Sequence, residues 1–474
     1  MSNVLLINPP PYVSNSYSRY LEKTPVKTYT MPLGIGYIAS TLEKYGHRLR
    51  ILDAYVKGYD FNQIEAYIRE VAPDVIGIQC LSDQRASWYR LVGLIRAIDD
   101  KIKIVLGGPH PSILPAQVLQ HCRPDALVIG EGEDTMVSLL EAWQRGSSLN
   151  SVDGIAYNNG SNVVVTAPRQ RIQALDALPY PAYHLVDMDD YAGWDFIKTI
   201  YRLLGCKDVP KYATMSTSRG CVSACGYCSA PLIWKRKWTR RGYKSVVDEM
   251  EMLQKDYGVQ FIIITDDIFT VDEDRVKAIC EEILRRGLDI QWGFETAVNF
   301  VSPEMLLIAK KAGCICILYG VESASEEVLS FVQKKVRRAD VINAFLWTKR
   351  AGILAGAFLM AGNPGETERT IDSTISLLKQ INPDIVLPQI TMIAPGTRIF
   401  ERAKEKGCID EAYWLGDKPF PYYTCERGLK TLLRWYRKLH YFNKSYTVGQ
   451  LLSFRDFIEL HTGFRVAGGK IFKV

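Results

Sequence analysis

A short apolar, β-rich run followed by a longer stretch with helical spacing recurs along this chain in two blocks, and this alternation restricts the fold more than any other feature. In the first block the runs are Val4–Ile7, Arg48–Leu52, Val75–Gln79, Ile104–Leu106 and Ala126–Ile129. Strands separated by helices pair parallel and are covered on both faces, so residues 1–145 are expected to form a doubly wound α/β sheet. The second block, residues 206–400, holds Tyr212–Thr217, Phe261–Ile264, Ile290–Phe294, Ile315–Tyr319, Leu354–Met360 and Ile385–Ile390. Six units are too few for the usual eight-stranded barrel, so an open, partial (β/α)6 barrel is expected, with its active site at the carboxyl rim. Between the blocks, residues 146–205 read as a hairpin around Asn158-Asn159-Gly160 and a linker rich in Pro and aromatics. Residues 401–474 are expected to form a small, mostly helical region.

A chain of 474 residues has room for two or three such domains. Its 47% hydrophobic and 23% charged residues are those of a globular protein. No apolar run is long enough to predict a membrane span. The opening MSNVLLINPP reads as a first strand rather than a signal peptide, which predicts a cytoplasmic protein. Eleven cysteines, an odd number, then predict reduced thiols. From Glu401 onward there are 14 Lys+Arg and 8 Asp+Glu, an excess equal to the net charge of +6.

Chemistry concentrates after the first strand of the second block, in Ser218-Arg219-Gly220-Cys221-Val222-Ser223-Ala224-Cys225-Gly226-Tyr227-Cys228. Closely spaced thiolates hold iron–sulfur clusters. Three of them leave one iron of a four-iron cluster open to another ligand, whereas four would close the site. A structural zinc site with a distant fourth ligand is the competing reading. In the first block the strand ends carry Asn8-Pro9-Pro10, Gly107-Gly108-Pro109-His110 and Gly130-Glu131-Gly132-Glu133, small residues that would let a large planar ligand approach the backbone or would only form turns.

The Cys-x3-Cys-x-aromatic-Cys arrangement resembles the radical S-adenosylmethionine (SAM) superfamily, and the resemblance extends over about Tyr212–Gly396. It implies a [4Fe-4S] cluster on Cys221, Cys225 and Cys228, with the amino and carboxylate groups of SAM on the fourth iron. It further implies that Tyr227, Asp266, Asp267, Glu295, Glu322 and Ser323 lie toward SAM. Where many relatives place an arginine, after the third strand, this chain has Ala297, which makes Glu295 the candidate contact there. Thr217 and Arg219 flank the cysteine loop, facing solvent or the cluster or serving structure alone.

The first block resembles the Rossmann-like cobalamin-binding domain of cobalamin-dependent radical SAM enzymes. On that resemblance Asn8, Pro9, Pro10, Leu33, Gly34, Ser82, Gln84, Gly107, Gly108, His110, Gly130, Glu131 and Gly132 are the candidate corrinoid contacts. His110 is expected at the rim, bonded to the corrin or a phosphate rather than to cobalt. Asp53-Ala54-Tyr55-Val56-Lys57-Gly58 lacks the histidine of the Asp-x-His-x-x-Gly motif, so no lower histidine ligand is expected.

The resemblance implies a methyltransferase in which SAM, cleaved to a 5'-deoxyadenosyl radical, opens an unactivated C–H bond of a small molecule, natural products among the candidates. Methylcobalamin then supplies the methyl group. A cyclase, ring-contraction or rearrangement enzyme, or an RNA-modifying enzyme, is the alternative. A low-potential electron donor such as flavodoxin or ferredoxin is the expected partner, and nucleic acid is not. The basic aromatic stretches Trp234–Arg241 and Arg427–Lys444 have a composition that could bind an anionic small substrate, a redox partner or RNA, but the second reads more simply as an amphipathic helix with its aromatic stripe on the barrel.

Overall fold

Alternate residues of the first strand, β1 (Asn3–Asn8), enter two different cores: Leu5 and Ile7 join one apolar cluster, Val4 and Leu6 another on the opposite face. Two-sided burial is what a parallel sheet wrapped by helices requires. The structure is a computed structural model and describes residues 1–10, 30–160, 162–416, 418, 420–442, 464–467 and 470–473. In it β1 lies between β2 (Arg48–Asp53) and β3 (Val75–Gln79), with β4 (Lys103–Gly107) and β5 (Ala126–Val128) beyond β3, all parallel. The order 2-1-3-4-5 puts a topological switch between β1 and β3, where a crevice opens beyond the carboxyl ends. Helices α1 (Leu33–Lys44) and α2 (Glu133–Arg145) cover the face of Val4 and Leu6, burying Ile35, Ala39, Leu42, Met136, Leu139 and Leu140 there.

The expected hairpin forms, but as part of this sheet. Its strands β6 (Ile155–Asn159) and β7 (Asn162–Val165) add antiparallel to β5, with Leu127 opposite Ala156. The three-residue β5 would otherwise present an open edge, and the hairpin covers it.

The second sheet joins β8 (Tyr212–Met215), β9 (Phe261–Ile264), β10 (Gln291–Thr296), β11 (Cys314–Glu322), β12 (Leu354–Ala361) and β13 (Ile385–Ile390) in chain order, all parallel. Among the described residues β8 and β13 do not pair, so the barrel stays open, as the unit count predicts. All nine residues of β11 are buried, which accounts for Cys314 and Cys316 as packing thiols. Helix α3 (Tyr243–Tyr257) buries Val246, Val247, Met250 and Leu253 against the same core.

The linker proves to be a packed strap. Tyr183 donates to Glu249 of α3 at 2.9 Å, Tyr191 donates to Asp53 at the end of β2 at 2.9 Å, and the Gly242 amide donates to Asp176. In the tail, helix α4 (Leu429–His440) buries Leu432, Leu433, Trp435, Tyr436 and Leu439, while Arg434 and Lys438 pair with Glu368 on its outer side. The basic aromatic stretch up to Phe442 is thus an amphipathic helix on the barrel; Asn443 and Lys444 lie outside the described residues. Among the described residues no helix is long and apolar enough to cross a membrane.

Candidate active site between two strand rims

The carboxyl ends of the two sheets face one another across a cavity of about 360 Å³. Leu33, Gly34 and Tyr37 of α1, with Gln79 at the end of β3, form part of its wall. Gly107, Gly108 and the run Gly130-Glu131-Gly132-Glu133 continue it on the same side. The barrel contributes Ser216, Ser218, Arg219, Trp234, Thr265 and Asp267. A Cβ added at Gly34 or Gly130 would meet no atom within 4 Å, so both keep the wall flat and relieve no clash, although Gly130, at φ +79°, also has a backbone that favours glycine. Such a surface admits a broad planar ligand against the backbone and fits a corrin. Gly108 differs: its φ is +112°, and a Cβ would lie 3.1 Å from the Cys80 carbonyl, so the turn itself needs glycine.

Leu33, Gly34, Gly107, Gly108, Gly130, Glu131 and Gly132 therefore line the cavity, whereas Asn8, Pro9, Pro10, Ser82, Gln84 and His110 do not. Asn8 donates to Asp53 at 2.9 Å, and Gln84 donates to the Pro9 carbonyl at 3.2 Å, closing that strand end upon itself. His110 is fully buried rather than at the rim, because the Gly-Gly-Pro turn starts a short helix, Pro109–Ile113, that folds its ring inward. Its Nδ1 is 2.9 Å from the Ser82 hydroxyl, and Trp88 and Trp414 flank the ring. Burial lowers its pKa to about 3, so it is a neutral imidazole.

Arg219 closes the seam between the units. It donates to Glu131 at 2.8 Å and to Glu133 at 2.5 Å, with its guanidinium 5.0 Å from the Tyr37 ring centroid. All three charged side chains are nearly out of solvent, and Arg219 has a structural role rather than a solvent or cluster contact. Tyr37 adds a second tie by donating to the Ser216 carbonyl at 3.3 Å.

Behind this seam the cysteine loop holds Cys221, Cys225 and Cys228, each half-buried and free. The Ser223 amide lies 3.4 Å from the Cys221 Sγ, and the Ala230 amide 3.4 Å from the Cys228 Sγ, where it favours the Cys228 thiolate. Burial works the other way, pushing the Cys228 thiol up to about 11 and raising Cys225 against the opposing pull of Lys334 and Tyr227. A bound metal must displace those protons. Among the described residues no three His, Cys, Asp or Glu side chains converge closely enough to share one ion. A single zinc needs such convergence, whereas a four-iron cluster takes each thiolate on a different iron.

The rim carboxylates divide by partner. Asp266 is buried and taken up by the Thr217 amide at 2.6 Å and the Ser218 hydroxyl at 2.7 Å, so it braces the loop rather than facing the cavity. Asp267, next to it, turns into the cavity; enclosure and the charge of Asp266 raise its pKa. Glu295 makes no side-chain hydrogen bond or ion pair among the described residues, and burial plus Asp267 push its pKa up to about 7. Glu322 stands at φ +65°, a left-handed conformation unusual for a residue with a side chain, after the irregular end of β11. It accepts from Tyr227 at 3.0 Å and from Lys334 at 3.3 Å. Ser323 is turned away, its hydroxyl 3.4 Å from that of Thr374.

Tyr37 and Lys334 belong to no motif of the sequence, and Glu133 and Trp234 are not among the candidate contacts. Both stand inside noted motifs; Glu133 finds its partner in Arg219, and Trp234 forms part of the cavity wall. Lys334, almost buried beside Glu322 and near Cys225, comes from a loop between helices whose Gln333-Lys334-Lys335 carries no signal.

The B12 binding domain family matches residues 23–140, and the Radical SAM superfamily residues 215–378. A protein of Pyrococcus horikoshii described as an uncharacterized methyltransferase is 30% identical over 412 residues, 87% of this chain and 85% of its own length. The anaerobic magnesium-protoporphyrin IX monomethyl ester cyclase of Rubrivivax gelatinosus is 28% identical over 79% of this chain and 66% of its own. Cytidylyl-2-hydroxyethylphosphonate methyltransferase of Streptomyces wedmorensis is 26% identical over 76% of this chain and 73% of its own. Among solved structures, the radical S-adenosylmethionine methyltransferase TsrM of Kitasatospora setae, with cobalamin and a [4Fe-4S] cluster bound, has a TM-score of 0.69 at 20% identity, covering 93% of this chain and 85% of its own. The cobalamin-dependent enzyme OxsB, with aqua-cobalamin and S-adenosylmethionine bound, has a TM-score of 0.67 at 20% identity, covering 91% and 58%. At that identity these two likenesses describe the fold.

Proposed function

This chain belongs to the cobalamin-dependent radical SAM enzymes, in the company of methyltransferases, and from that premise we propose that it methylates an unactivated carbon of a small-molecule substrate. The carrying observation is the cavity in which the glycine-walled rim of one sheet faces the carboxylate-bearing rim of the other. When bound, the cluster, SAM and corrinoid supply the radical that opens a C–H bond and the methyl group that replaces the hydrogen.

The chain's own residues bind, orient and enclose. Cys221, Cys225 and Cys228 would hold the cluster, their loop braced by Asp266 through Thr217 and Ser218. Asp267 and Glu295, neither of them paired with a cation, offer carboxylates to the ammonium group of SAM. Glu322, fixed between Tyr227 and Lys334, presents a further acceptor on the same rim. Gly34, Gly107 and Gly130 would lie against the corrin. Arg219, gripping Glu131 and Glu133, holds the rims in register, which is the contribution that counts when cofactors perform the bond-breaking.

The likeness to a cyclase makes rearrangement the alternative outcome of the test. Protein purified without oxygen and loaded with iron, sulfide and corrinoid is incubated with SAM, an electron donor and a metabolite extract. Methylation yields a product heavier by one CH2, with S-adenosylhomocysteine and 5'-deoxyadenosine in equal amounts. 5'-Deoxyadenosine without S-adenosylhomocysteine would exclude it in favour of rearrangement.

A further inference from the structure

Two loops lie against the cysteine loop, one on each side, and both carry exposed cations that form no ion pair among the described residues. On one side Gly220, with φ +94°, packs so closely beneath the turn after Trp234 that a Cβ would lie 2.1 Å from the Lys237 carbonyl oxygen. Arg236 donates to the Val222 carbonyl at 3.4 Å, inside the cysteine loop itself. On the other side the Gly226 amide donates to Val332 at 2.8 Å, and the Ile399 amide donates to Gly226 at 3.1 Å, bringing Lys335 and Arg398 alongside.

Lys235, Arg236, Lys237, Lys335 and Arg398 are all exposed, and none forms an ion pair among the described residues. The contrast with their neighbours is direct: Arg240 is paired with Asp272, and Arg241 with Glu249. Lys235 and Arg236 moreover sit at φ +51° and +58°, two consecutive left-handed residues where glycine would be unstrained. Lys235 caps the short helix Ala230–Trp234 in this conformation, and the pair of residues turns the chain back over Gly220.

We propose that these cations form the docking surface for an acidic one-electron carrier protein, an inference that rests on Cys221, Cys225 and Cys228 holding the cluster. Charge complementarity over the loop steers the carrier to the shortest path inward. One electron leaves the reduced carrier and is taken up at the cysteine-held cluster; no proton moves and no bond forms between the proteins.

The test uses the cluster-loaded enzyme with an acidic flavodoxin, in parallel with dithionite. In Lys235→Glu/Lys237→Glu/Lys335→Glu, flavodoxin affinity, read by fluorescence anisotropy of a labelled flavodoxin, and the rate of cluster bleaching by reduced flavodoxin should each fall at least about tenfold at low salt. Bleaching by dithionite should be unchanged. In the unaltered enzyme the flavodoxin rate should fall steeply with added sodium chloride and the dithionite rate should not; this arm decides the matter if the triple variant takes up no cluster. Equal flavodoxin affinity and rate in the variant, or a flavodoxin rate indifferent to salt, overturns the docking surface. Absence of cluster absorption in the unaltered enzyme overturns the cysteine assignment instead.

Discussion

Arg219 and Glu131, 88 positions apart, meet at 2.8 Å in a seam nearly closed to solvent, and the same guanidinium also holds Glu133. One cation thus bridges two carboxylates of the opposite unit and offsets one of their two charges, at the point where the rim of one sheet meets the loop that carries the cysteines.

Arg219→Met would leave both carboxylates buried and unpaired. Breaking a buried pair from one side costs about 3–5 kcal/mol. The expected result is a loss of that order in denaturant unfolding, with bound corrinoid released at lower denaturant than before. Unfolding at the original midpoint would mean that water reaches Glu131 and Glu133 after all.

Alanine in place of Cys221, Cys225 or Cys228 should remove the visible absorption of the reconstituted cluster and with it SAM cleavage, while corrinoid content stays as it was. Cleavage surviving in the triple variant would refute the assignment of that loop.

Gly34 separates a ligand-binding role from a structural one. It lies in the first turn of α1 with nothing within 4 Å of its missing Cβ, so Gly34→Phe should fold with unchanged or slightly raised thermal stability, glycine being the poorer helix residue. The ring would occupy the cavity, and corrinoid affinity should fall at least about tenfold, roughly 1.4 kcal/mol. Undiminished corrinoid binding would place the cofactor elsewhere.

The rim also predicts a pH dependence. Glu295 has a folded pKa of about 7 against an ordinary 4.5, through burial and the neighbouring charge of Asp267. Between those values the folded state holds a proton that the unfolded state has lost, so ionising Glu295 opposes folding and SAM-free protein should lose stability as pH rises from about 4.5 to 7. Glu366, also buried and raised to about 7, adds to the same slope. Glu295→Gln should therefore flatten the decline in melting temperature across this window without abolishing it. A slope identical to that of the unaltered protein would mean that Glu295 ionises freely.

Much of this was legible in the sequence, for physical reasons. Both sheets announce themselves because strands buried on two faces must be apolar throughout, and Gly34, Gly107, Gly130 and the three cysteines are residue types that few environments require. The pair Asp266–Asp267 shows where legibility stops: neighbouring carboxylates point opposite ways after a strand, and nothing local says which is consumed by Thr217 and which faces the cavity. His110 was misplaced because a Gly-Gly-Pro turn looks alike whether it ends in solvent or begins a helix that buries its second residue. Lys334 and Tyr37 were invisible, since each depends on a contact with a distant segment.

The strap between the units has a consequence for how such a chain can descend. Its hydrogen bonds run both ways, to Asp53 in one fold and to Glu249 and Gly242 in the other. A recombination event that exchanged either fold for a cousin's would separate Tyr191 from Asp53 or Tyr183 from Glu249, taking one hydrogen bond from a buried carboxylate. The strap thus favours inheritance of the two domains as one joined length of sequence, running from the first sheet through helix Asp195–Leu203 into the barrel.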